Sequence, residues 1–350
     1  MLRMRQVRRK LPVTFALPSV MKPLVKEMLA NKRLSMPILS YPATQLRGCS
    51  VLDLVTNSNK QAECIKAVLD RCPISVALNI MDLSVEAEAF GAQIKLEKNE
   101  IPTVTHGILS NLSQAVSVSV PEIGKGREQV YIDALIKVRR LTDKPIFCGV
   151  IGPYSLAGRL YDMTELMIAC YDQPENVEIL LEKCASFIAA YITALKKAGA
   201  SGVIMAEPAA GLLSPALCQQ FSSRYVKAII ENTQDKNFVF VYHNCGNVMP
   251  LLGGILELGT DIYHFGNAVD MAQVLERAPS DKVIAGNLNP IDFCMENKQT
   301  VYQNTLKLLE QCGHYNNYLI SSGCDIPPNS NWDAIDSYFQ AIQDFYQDKK

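Results

Sequence analysis

Three residues in the second half of the chain carry side chains that bind soft metal ions: His243, Cys245 and Cys324. One residue separates His243 from Cys245, so both side chains face the same side of an extended chain. Two thiolates and one imidazole would leave one position of a tetrahedral zinc ion open, as in catalytic zinc sites. A thiol entering that position would lose its proton and remain nucleophilic. The residue types therefore predict a zinc enzyme that activates a thiol.

An isolated H-x-C sequence is by itself weak evidence for a metal site. A buried histidine beside an inert cysteine is the more common explanation of such a pair. The prediction therefore depends on whether the fold brings Cys324 to His243 and Cys245, and that depends on the elements around them.

Seven short apolar runs, rich in β-branched and aromatic residues, are typical of parallel strands buried on both faces. They lie at residues 75–81, 145–151, 202–206, 238–242, 261–265, 282–285 and 317–321. An eighth strand is predicted near residues 116–120, where valine alternates with serine. The strands alternate with amphipathic stretches, which is the pattern of an α/β protein.

The stretches between the strands predict helices. The clearest begins with Asp172 as a potential N-cap and ends at Gly199. Further helices are predicted at residues 215–231, 248–258, 271–278 and 300–312. Eight strands alternating with helices predict a (β/α)₈ TIM barrel over residues 71–350, with residues 1–70 as an N-terminal helical extension packed on it, in a single structural domain. No glycine-rich nucleotide-binding motif occurs in the sequence.

Active sites of such barrels lie at the carboxyl ends of the strands. His243 and Cys245 follow one predicted strand and Cys324 follows the last one, so the barrel brings the three together. Glu207, which follows another strand, is a candidate catalytic residue that occupies the fourth zinc position or accepts the proton of the thiol. A carboxylate at a helix start, or a solvated loop residue, is an equally good interpretation of Glu207.

Three further residues at strand ends are candidates for substrate binding: Asp82, Asn267 and Asn287. Asp82 lies just after the first strand, close to Glu86 and Glu88 in sequence, and is expected at the mouth of the pocket. Asn267 and Asn287 could donate hydrogen bonds to a substrate, although tight turns use asparagine as often. The remaining histidines need only core or surface roles.

Composition limits the classes of partner. A net charge of −1 argues against binding to nucleic acid or to a membrane surface, and no apolar run is long enough to span a bilayer. The eleven cysteines show no repeated spacing, and apart from Cys245 and Cys324 they are expected to be reduced core thiols of a cytoplasmic protein. The basic residues between positions 3 and 10 precede an apolar stretch that Pro12 and Pro18 interrupt. They predict a basic arm leading into the first helix rather than a signal peptide.

The strand-end motifs also carry a family resemblance. Y-H-N-C-G-N at 242–247, A-G-N-L-N-P at 285–290 and S-S-G-C-D-I-P-P at 321–328 resemble the uroporphyrinogen decarboxylase superfamily. They look most like its methylcobamide:coenzyme M methyltransferase branch, and residues 81–92 and 147–156 fit the same branch. The resemblance covers roughly residues 20–345. The zinc motif of that branch, H-x-C followed by a distant cysteine, corresponds here to His243, Cys245 and Cys324.

This resemblance implies a (β/α)₈ fold and a zinc-dependent methyltransferase. The methyl group would come from methylcobalamin or a related corrinoid on a partner corrinoid protein, and coenzyme M or another small thiol would accept it. Decarboxylation of a porphyrinogen, methyl transfer to tetrahydrofolate, or a non-catalytic zinc-dependent partner of a corrinoid protein are the alternatives. The decarboxylases carry an arginine-rich motif near the N-terminus, whereas residues 38–47 contain one arginine, Arg47.

Overall fold

A curved sheet of parallel strands forms the centre of the computed structural model, which describes residues 21–347. The strands are β1 (Ala77–Leu78), β2 (Gln93–Lys95), β3 (Thr103–His106), β4 (Ile146–Ile151), β5 (Gly202–Ala206), β6 (Val239–Asn244), β7 (Ile262–Phe265), β8 (Val283–Leu288) and β9 (Tyr318–Ser322). Seven of them form one sheet in the order β1-β4-β5-β6-β7-β8-β9, and every neighbouring pair is parallel. β2 and β3 form a separate antiparallel pair.

The helices cover the sheet and connect its strands. They are α1 (Pro23–Ala30), α2 (Ala43–Arg47), α3 (Val51–Thr56), α4 (Ser58–Arg71), α5 (Val85–Ala89), α6 (Glu128–Arg139), α7 (Pro153–Leu160), α8 (Met163–Asp172), α9 (Pro174–Lys197), α10 (Pro215–Cys218), α11 (Arg224–Thr233), α12 (Leu252–Leu256), α13 (Met271–Arg277), α14 (Asp292–Met295), α15 (Lys298–Cys312) and α16 (Trp332–Gln347). Within residues 21–347, no helix is both long and apolar enough to cross a membrane.

Alternation along the strands separates two cores. In β6, Val239 and Val241 belong to the cluster inside the barrel, together with Ile262 of β7 and Leu319 of β9. The intervening residues pack outward in the larger cluster under the helices, for example Phe240. Because side chains of a strand alternate between its two faces, His243, His264 and Ser321 continue the inward-facing series. The strand pattern therefore determines which polar side chains reach the barrel interior.

An extended segment from the N-terminal region closes the barrel. The carbonyl of Ser35 accepts a hydrogen bond from Ser75 N (2.9 Å), just before β1, and Met36 N donates to Ile320 O of β9 (3.2 Å). This segment therefore lies between the first and last strands. The boundary at residue 70 between extension and barrel stays a prediction, and the basic arm at residues 3–10 lies outside the described residues.

The α/β barrel is confirmed, but two details of its prediction were wrong. Residues 116–120 are not a strand: Leu112–Ser117 form a 3₁₀ turn whose start is capped by Asn111, and Val116 is 66% exposed, so no face of this stretch is buried. Asp172 does not cap the long helix, because it is the last residue of α8. The end of α9 was predicted correctly, since Gly199 adopts the left-handed conformation (φ 108°) that glycine tolerates.

Candidate metal centre

His243, Cys245 and Cys324 come together at the carboxyl ends of β6 and β9. Their ligand atoms all lie within 4.8 Å of one another, and Cys324 Sγ is 3.7 Å from His243 Nε2. His243 is buried, whereas both cysteines are half-buried. Two soft sulfur donors and one imidazole at this spacing match the ligand set of a zinc site with an open position.

Local contacts fix the direction of Cys245. Asn244 ends β6; its side-chain amide donates to Glu207 O (2.7 Å), and its side-chain oxygen accepts from Gly246 N (2.9 Å). This Asx turn bends the chain immediately around the cysteine. Gly266, after β7, leaves the necessary space, because a Cβ there would lie 2.6 Å from Cys245 Cα and Cβ. Only glycine permits this approach of the two loops.

A hydrogen-bond chain sets the tautomer of His243. Ser321 Oγ donates its proton to Met36 O (2.6 Å) and so accepts from His264 Nε2 (2.8 Å). Burial lowers the pKa of His264 well below its usual value, so the ring is neutral and its Nδ1 is an acceptor. His243 Nδ1, 2.8 Å away, therefore carries a proton and donates it to His264 Nδ1. The Nε2 lone pair of His243 remains free for a metal.

The two thiols share one hydrogen bond, and it separates their pKa values. A hydrogen bond from Cys324 lowers the pKa of Cys245 to about 7 despite its burial. The same bond, followed by burial, raises the pKa of Cys324 to about 12. Cys245 is therefore the first of the pair to become a thiolate. Metal binding requires both thiols to lose their protons, so it releases protons and weakens as the pH falls.

A cavity of about 300 Å³ opens onto the three residues. Its walls are mainly apolar, with Ile38 from the closing segment, Met81 and Leu83 after β1, and Ile101. This volume is at the lower end of the range for small-molecule sites. The candidate metal centre therefore faces a space for a small substrate.

Comparison with known proteins gives the family. A family model described as uroporphyrinogen decarboxylase (URO-D) matches residues 33–345. The chain belongs to the uroporphyrinogen decarboxylase family. A relative from Pseudomonas savastanoi pv. phaseolicola, named uroporphyrinogen decarboxylase, is 25% identical over 317 residues, which are 87% of this chain and 88% of the relative. The superfamily expected from the strand-end motifs is confirmed.

Solved structures give the same fold. A methyltransferase from Methanosarcina mazei superposes with a TM-score of 0.81 at 22% identity, over 93% of this chain and 99% of that protein. A B12-independent methionine synthase from a Shewanella species superposes with a TM-score of 0.58 at 13% identity, over 83% and 89% of the two chains. At these identities the likeness shows that this family member shares a barrel fold with both proteins.

The carboxylate of Glu207 lies at the start of α7 and not at the candidate metal centre, where it was predicted. Its buried carboxylate accepts hydrogen bonds from Tyr154 N (3.0 Å) and Ser155 N (2.7 Å), the first backbone amides of α7, and from the Ser155 hydroxyl. It does not belong to the group of ligand atoms around His243. Burial raises the pKa of Glu207 to about 7, even though these donors favour the charged form. The contacts favour the structural interpretation, a carboxylate at a helix start.

Asp82 is also held by protein groups. One oxygen accepts from Ser84 N (2.9 Å), and the other pairs with Arg127 and accepts from Tyr131 Oη (2.7 Å). Glu88 pairs with the same guanidinium. The neighbours Met81 and Leu83 line the cavity, whereas Asp82 is not among its lining residues. These contacts leave Asp82 no free oxygen face for a substrate.

The two candidate asparagines, Asn267 and Asn287, contact other loop residues. The side-chain amide of Asn287 is buried and donates to Gly266 O (3.0 Å) and Val269 O (2.8 Å), which fixes the loop after β7. Asn267 is exposed, and neither residue lines the cavity. Asn267 packs against Gly323, where an added Cβ would lie 2.8 Å from its backbone nitrogen. These contacts favour the turn interpretation over direct substrate binding.

Two residues with a place in the site escaped the sequence interpretation. His264 was assigned only a core or surface role, although it is the penultimate residue of β7, as His243 is of β6, and the two pair in register. The contact between the two rings depends on the register between β6 and β7, which the apolar runs of the two strands do not give. Arg159 lines the cavity from α7 and was overlooked because the search covered strand ends alone. An arginine inside the apolar stretch Leu156-Ala-Gly-Arg-Leu160 was the available signal.

Replacement of Cys324 tests the ligand set. Cys324→Ser removes one soft donor, so we expect zinc affinity to fall by ~100-fold or more. Metal analysis after dialysis against a chelator series measures the change. The matched control is Cys294→Ser, a half-buried cysteine outside the cavity. Full zinc occupancy in Cys324→Ser would remove this residue from the site.

Replacement of His264 tests the hydrogen-bond chain. His264→Leu removes the acceptor for His243 Nδ1–H, and we expect zinc affinity to fall by about 10- to 100-fold. His264→Asn offers an amide oxygen near the position of Nδ1 and should lose less. Competition with a chromogenic chelator gives both affinities. Equal affinity of His264→Leu and wild type would show that the chain does not position His243.

Replacement of Glu207 separates its two interpretations. Glu207→Gln puts an amide group opposite one of the α7 backbone donors, so we expect the free energy of unfolding to fall by about 1–3 kcal/mol. Zinc stoichiometry should not change. Urea unfolding of the metal-free protein and metal analysis give the two values. Loss of zinc with unchanged stability would instead identify Glu207 as a ligand.

Proposed function

We propose that this protein transfers a methyl group from a methylated corrinoid, carried by a partner corrinoid protein, to a small thiol activated by zinc at His243, Cys245 and Cys324. One observation carries the proposal: two sulfur donors and one imidazole nitrogen lie within 4.8 Å of one another on the wall of a small cavity. Among residues 21–347, no fourth histidine, cysteine or carboxylate joins this group. An open position next to a cavity is the property that separates catalytic from structural zinc sites.

The donor set fits zinc. Thiolate and imidazole donors suit zinc and do not suit magnesium or calcium, which prefer oxygen ligands. The Nε2 atom of His243 carries no proton, because the proton of this ring is on Nδ1, which donates it in a hydrogen bond to His264 Nδ1. When bound there, zinc would lower the pKa of a thiol in the open position and keep the sulfur nucleophilic.

The chain itself would contribute position and a low-water environment. The apolar walls formed by Ile38, Met81 and Leu83 would exclude water from the sulfur, which strengthens its nucleophilicity. With the methylated corrinoid as substrate, the sulfur would take its methyl group: a sulfur–carbon bond would form, the cobalt–carbon bond would break, and the electron pair would leave with the corrinoid as Co(I). The thiol proton leaves to solvent. Correct alignment of donor and acceptor supplies much of the rate in such bimolecular transfers.

Similarity to a named methyltransferase supports this proposal. The Methanosarcina mazei protein with the superposable fold is named as a methyltransferase, and it covers almost the whole chain. The resemblance of the motifs at 242–247, 285–290 and 321–328 to the methylcobamide:coenzyme M branch adds the corrinoid donor and suggests coenzyme M as the acceptor.

Decarboxylation of a porphyrinogen is the second candidate, favoured by the names of the sequence relatives. Such a substrate carries many carboxylates and needs a large cationic cleft. Arg47, the one arginine in residues 38–47, is exposed, lies 3.7 Å from Glu63 and is not among the residues lining the cavity. The cavity of about 300 Å³ is small for a tetrapyrrole. These features weigh against the decarboxylase reaction.

The reaction itself is the direct test. Zinc-loaded protein is incubated with methylcobalamin and coenzyme M, and Co(I) formation is followed by its absorption spectrum. We expect demethylation that depends on protein, thiol and zinc, and that falls by at least about 100-fold in Cys324→Ser, because a ligand of the activating metal is lost.

Three outcomes separate the candidates. No demethylation with any of several small thiols would contradict the proposal. Formation of coproporphyrinogen from uroporphyrinogen would support the decarboxylase reaction instead. Tight, zinc-dependent binding of a corrinoid protein without turnover would indicate a non-catalytic partner, and methylation of tetrahydrofolate in place of a thiol would change the acceptor.

A further inference from the structure

Two cysteines outside the candidate metal centre have sulfur atoms in contact. Cys49 Sγ lies 3.5 Å from Cys64 Sγ, and either sulfur can donate the hydrogen bond between them. Cys49 lies in the loop between α2 and α3, and Cys64 lies in the middle of α4. Neither residue lines the cavity that opens onto His243, Cys245 and Cys324. The pair is therefore a separate thiol site.

The burial of the cysteines makes Cys49 the accessible member of this pair. Of the eleven cysteines, all of which lie within residues 21–347, seven are buried and four are half-buried: Cys49, Cys245, Cys294 and Cys324. Cys245 and Cys324 belong to the candidate metal centre. Cys294 Sγ contacts the Oγ atom of Ser330 (3.1 Å) rather than another sulfur. Outside the metal centre, Cys49 is thus the half-buried cysteine whose sulfur contacts a second cysteine.

Burial gives the two thiols different reactivity. Cys64 is fully buried, and its Sγ donates a hydrogen bond to Ala43 O (3.7 Å). Burial raises the pKa of Cys64 well above its usual value, and the neighbouring sulfur of Cys49 raises it further. The thiolate is the reactive form of cysteine, so Cys64 does not react first with a molecule in solution. Cys49 is placed to react first, and Cys64 is placed to react second.

The loop that carries Cys49 has room to close the remaining distance. The sulfurs of a disulfide are about 2.0 Å apart, so the two atoms would have to approach each other by ~1.5 Å. Cys49 directly follows Gly48, which ends α2 in the left-handed conformation (φ 59°). A Cβ added at Gly48 would meet no heavy atom within 4 Å, so the turn is not tightly packed there. A small shift of this loop would therefore bring the sulfurs to bonding distance.

A bond at this position would act on a short helix. α2 has five residues, which are too few for a helix that is stable by itself. The side-chain amide of Gln45 ties it to the loop after β9, donating to Pro328 O (2.7 Å) and Ser330 O (2.8 Å). α2 also follows the segment that closes the barrel and contributes Ile38 and Tyr41 to the cavity wall. A covalent link between the end of α2 and α4 would therefore restrict the closing segment as well.

We propose that Cys49 and Cys64 form a reversible disulfide when the protein meets a small-molecule disulfide such as glutathione disulfide, and that this bond locks α2 to α4. Cys49 gives its proton to solvent and attacks one sulfur of the small disulfide, so that a mixed disulfide forms and one small thiolate leaves. Cys64 gives its proton to that thiolate and attacks the Cys49 sulfur. The second small thiolate leaves and takes a proton from solvent. Two protein thiols are oxidised to one disulfide, and one small disulfide is reduced to two thiols.

Peptide mapping tests the bond directly. Protein supplied with zinc is incubated in glutathione buffers of rising disulfide content, its free thiols are alkylated, and it is digested with trypsin. Cleavage after Arg47, Lys60 and Lys66 places Cys49 in peptide 48–60 and Cys64 in peptide 61–66. We expect these two peptides to be cross-linked in the oxidising buffers and to separate after treatment with dithiothreitol.

Two outcomes of the mapping would overturn the inference. One is recovery of both peptides with alkylated cysteines at every buffer composition. The other is a glutathione adduct on Cys49 that never converts to the cross-link. Oxidation at Cys245 and Cys324 gives different peptides and is not confused with either outcome. No turnover is measured, so the result is independent of the proposed methyl transfer.

Variants separate the two chemical steps. In Cys64→Ala the second step is removed, and we expect Cys49 to accumulate as the mixed disulfide with glutathione. In Cys49→Ser, a change in a half-buried loop that tests the order even if Cys64→Ala does not fold, Cys64 should remain a free thiol because it is buried. The control Cys294→Ser should form the cross-link as fully as wild type. Glutathione attached to Cys64 in Cys49→Ser would overturn the assigned order of reaction.

The effect on α2 has its own measurement. In oxidised wild type, hydrogen–deuterium exchange of residues 38–50 should be slower than in reduced protein by about 3-fold or more. The Tm should rise by about 2–6 °C, because the bond joins cysteines 15 positions apart and restricts the unfolded chain. Cys49→Ser should show neither change between the two buffers. Equal exchange of residues 38–50 in oxidised and reduced wild type would refute the locking of α2.

Discussion

The hydrogen bond between the Nδ1 atoms of His243 and His264 connects the barrel to its candidate metal centre. It is the middle link of a chain that begins at Met36 O, passes through Ser321 Oγ and the His264 ring, and ends at the free Nε2 of His243. Met36 belongs to the segment that closes the barrel, and the other three residues are the penultimate residues of β9, β7 and β6. Closure of the barrel therefore determines the tautomer of a candidate ligand. In a barrel that failed to close, Ser321 would be free to donate its proton to His264. The hydrogen bonds from Ser321 through His264 to His243 would then be able to run in the opposite direction.

Two buried carboxylates play a comparable role at the junction between β4 and α7. Glu86 accepts the backbone amide of Ile151 at the end of β4, and Glu207 accepts the first amides of α7. Burial raises the pKa of each carboxyl group to about 7, so burial of the charged form costs free energy of folding. Together they fix the junction between β4 and α7, and α7 carries Arg159. The two carboxylates thus position the guanidinium of Arg159 without forming an ion pair with it.

Sequence reasoning was most successful where the chemistry is local. His243 and Cys245 are neighbours at a strand end, and Cys324 follows another strand whose apolar run is clear, so the grouping of the three could be predicted from the alternation of strands and helices. His264 could not be identified in this way, because its contact depends on the register between β6 and β7. The closing segment was missed for a related reason: it makes single backbone contacts to each neighbour and has no alternating pattern. Conversely, residues 116–120 alternate like a strand but have no buried face.

The barrel fold leaves the chemistry undecided, since proteins with superposable barrels carry different names. The decision lies in the side chains at the strand ends and on α7. One end of the cavity has three soft donors, prepared by a hydrogen-bond chain that leaves the His243 lone pair free. Elsewhere in the lining lies a guanidinium for which the fold provides no counter-ion, although it pairs Arg127 with Asp82 and Glu88. The pairing of Arg127 and the lack of a carboxylate partner for Arg159 among the described residues are differences between side chains, which the shared barrel fold does not determine.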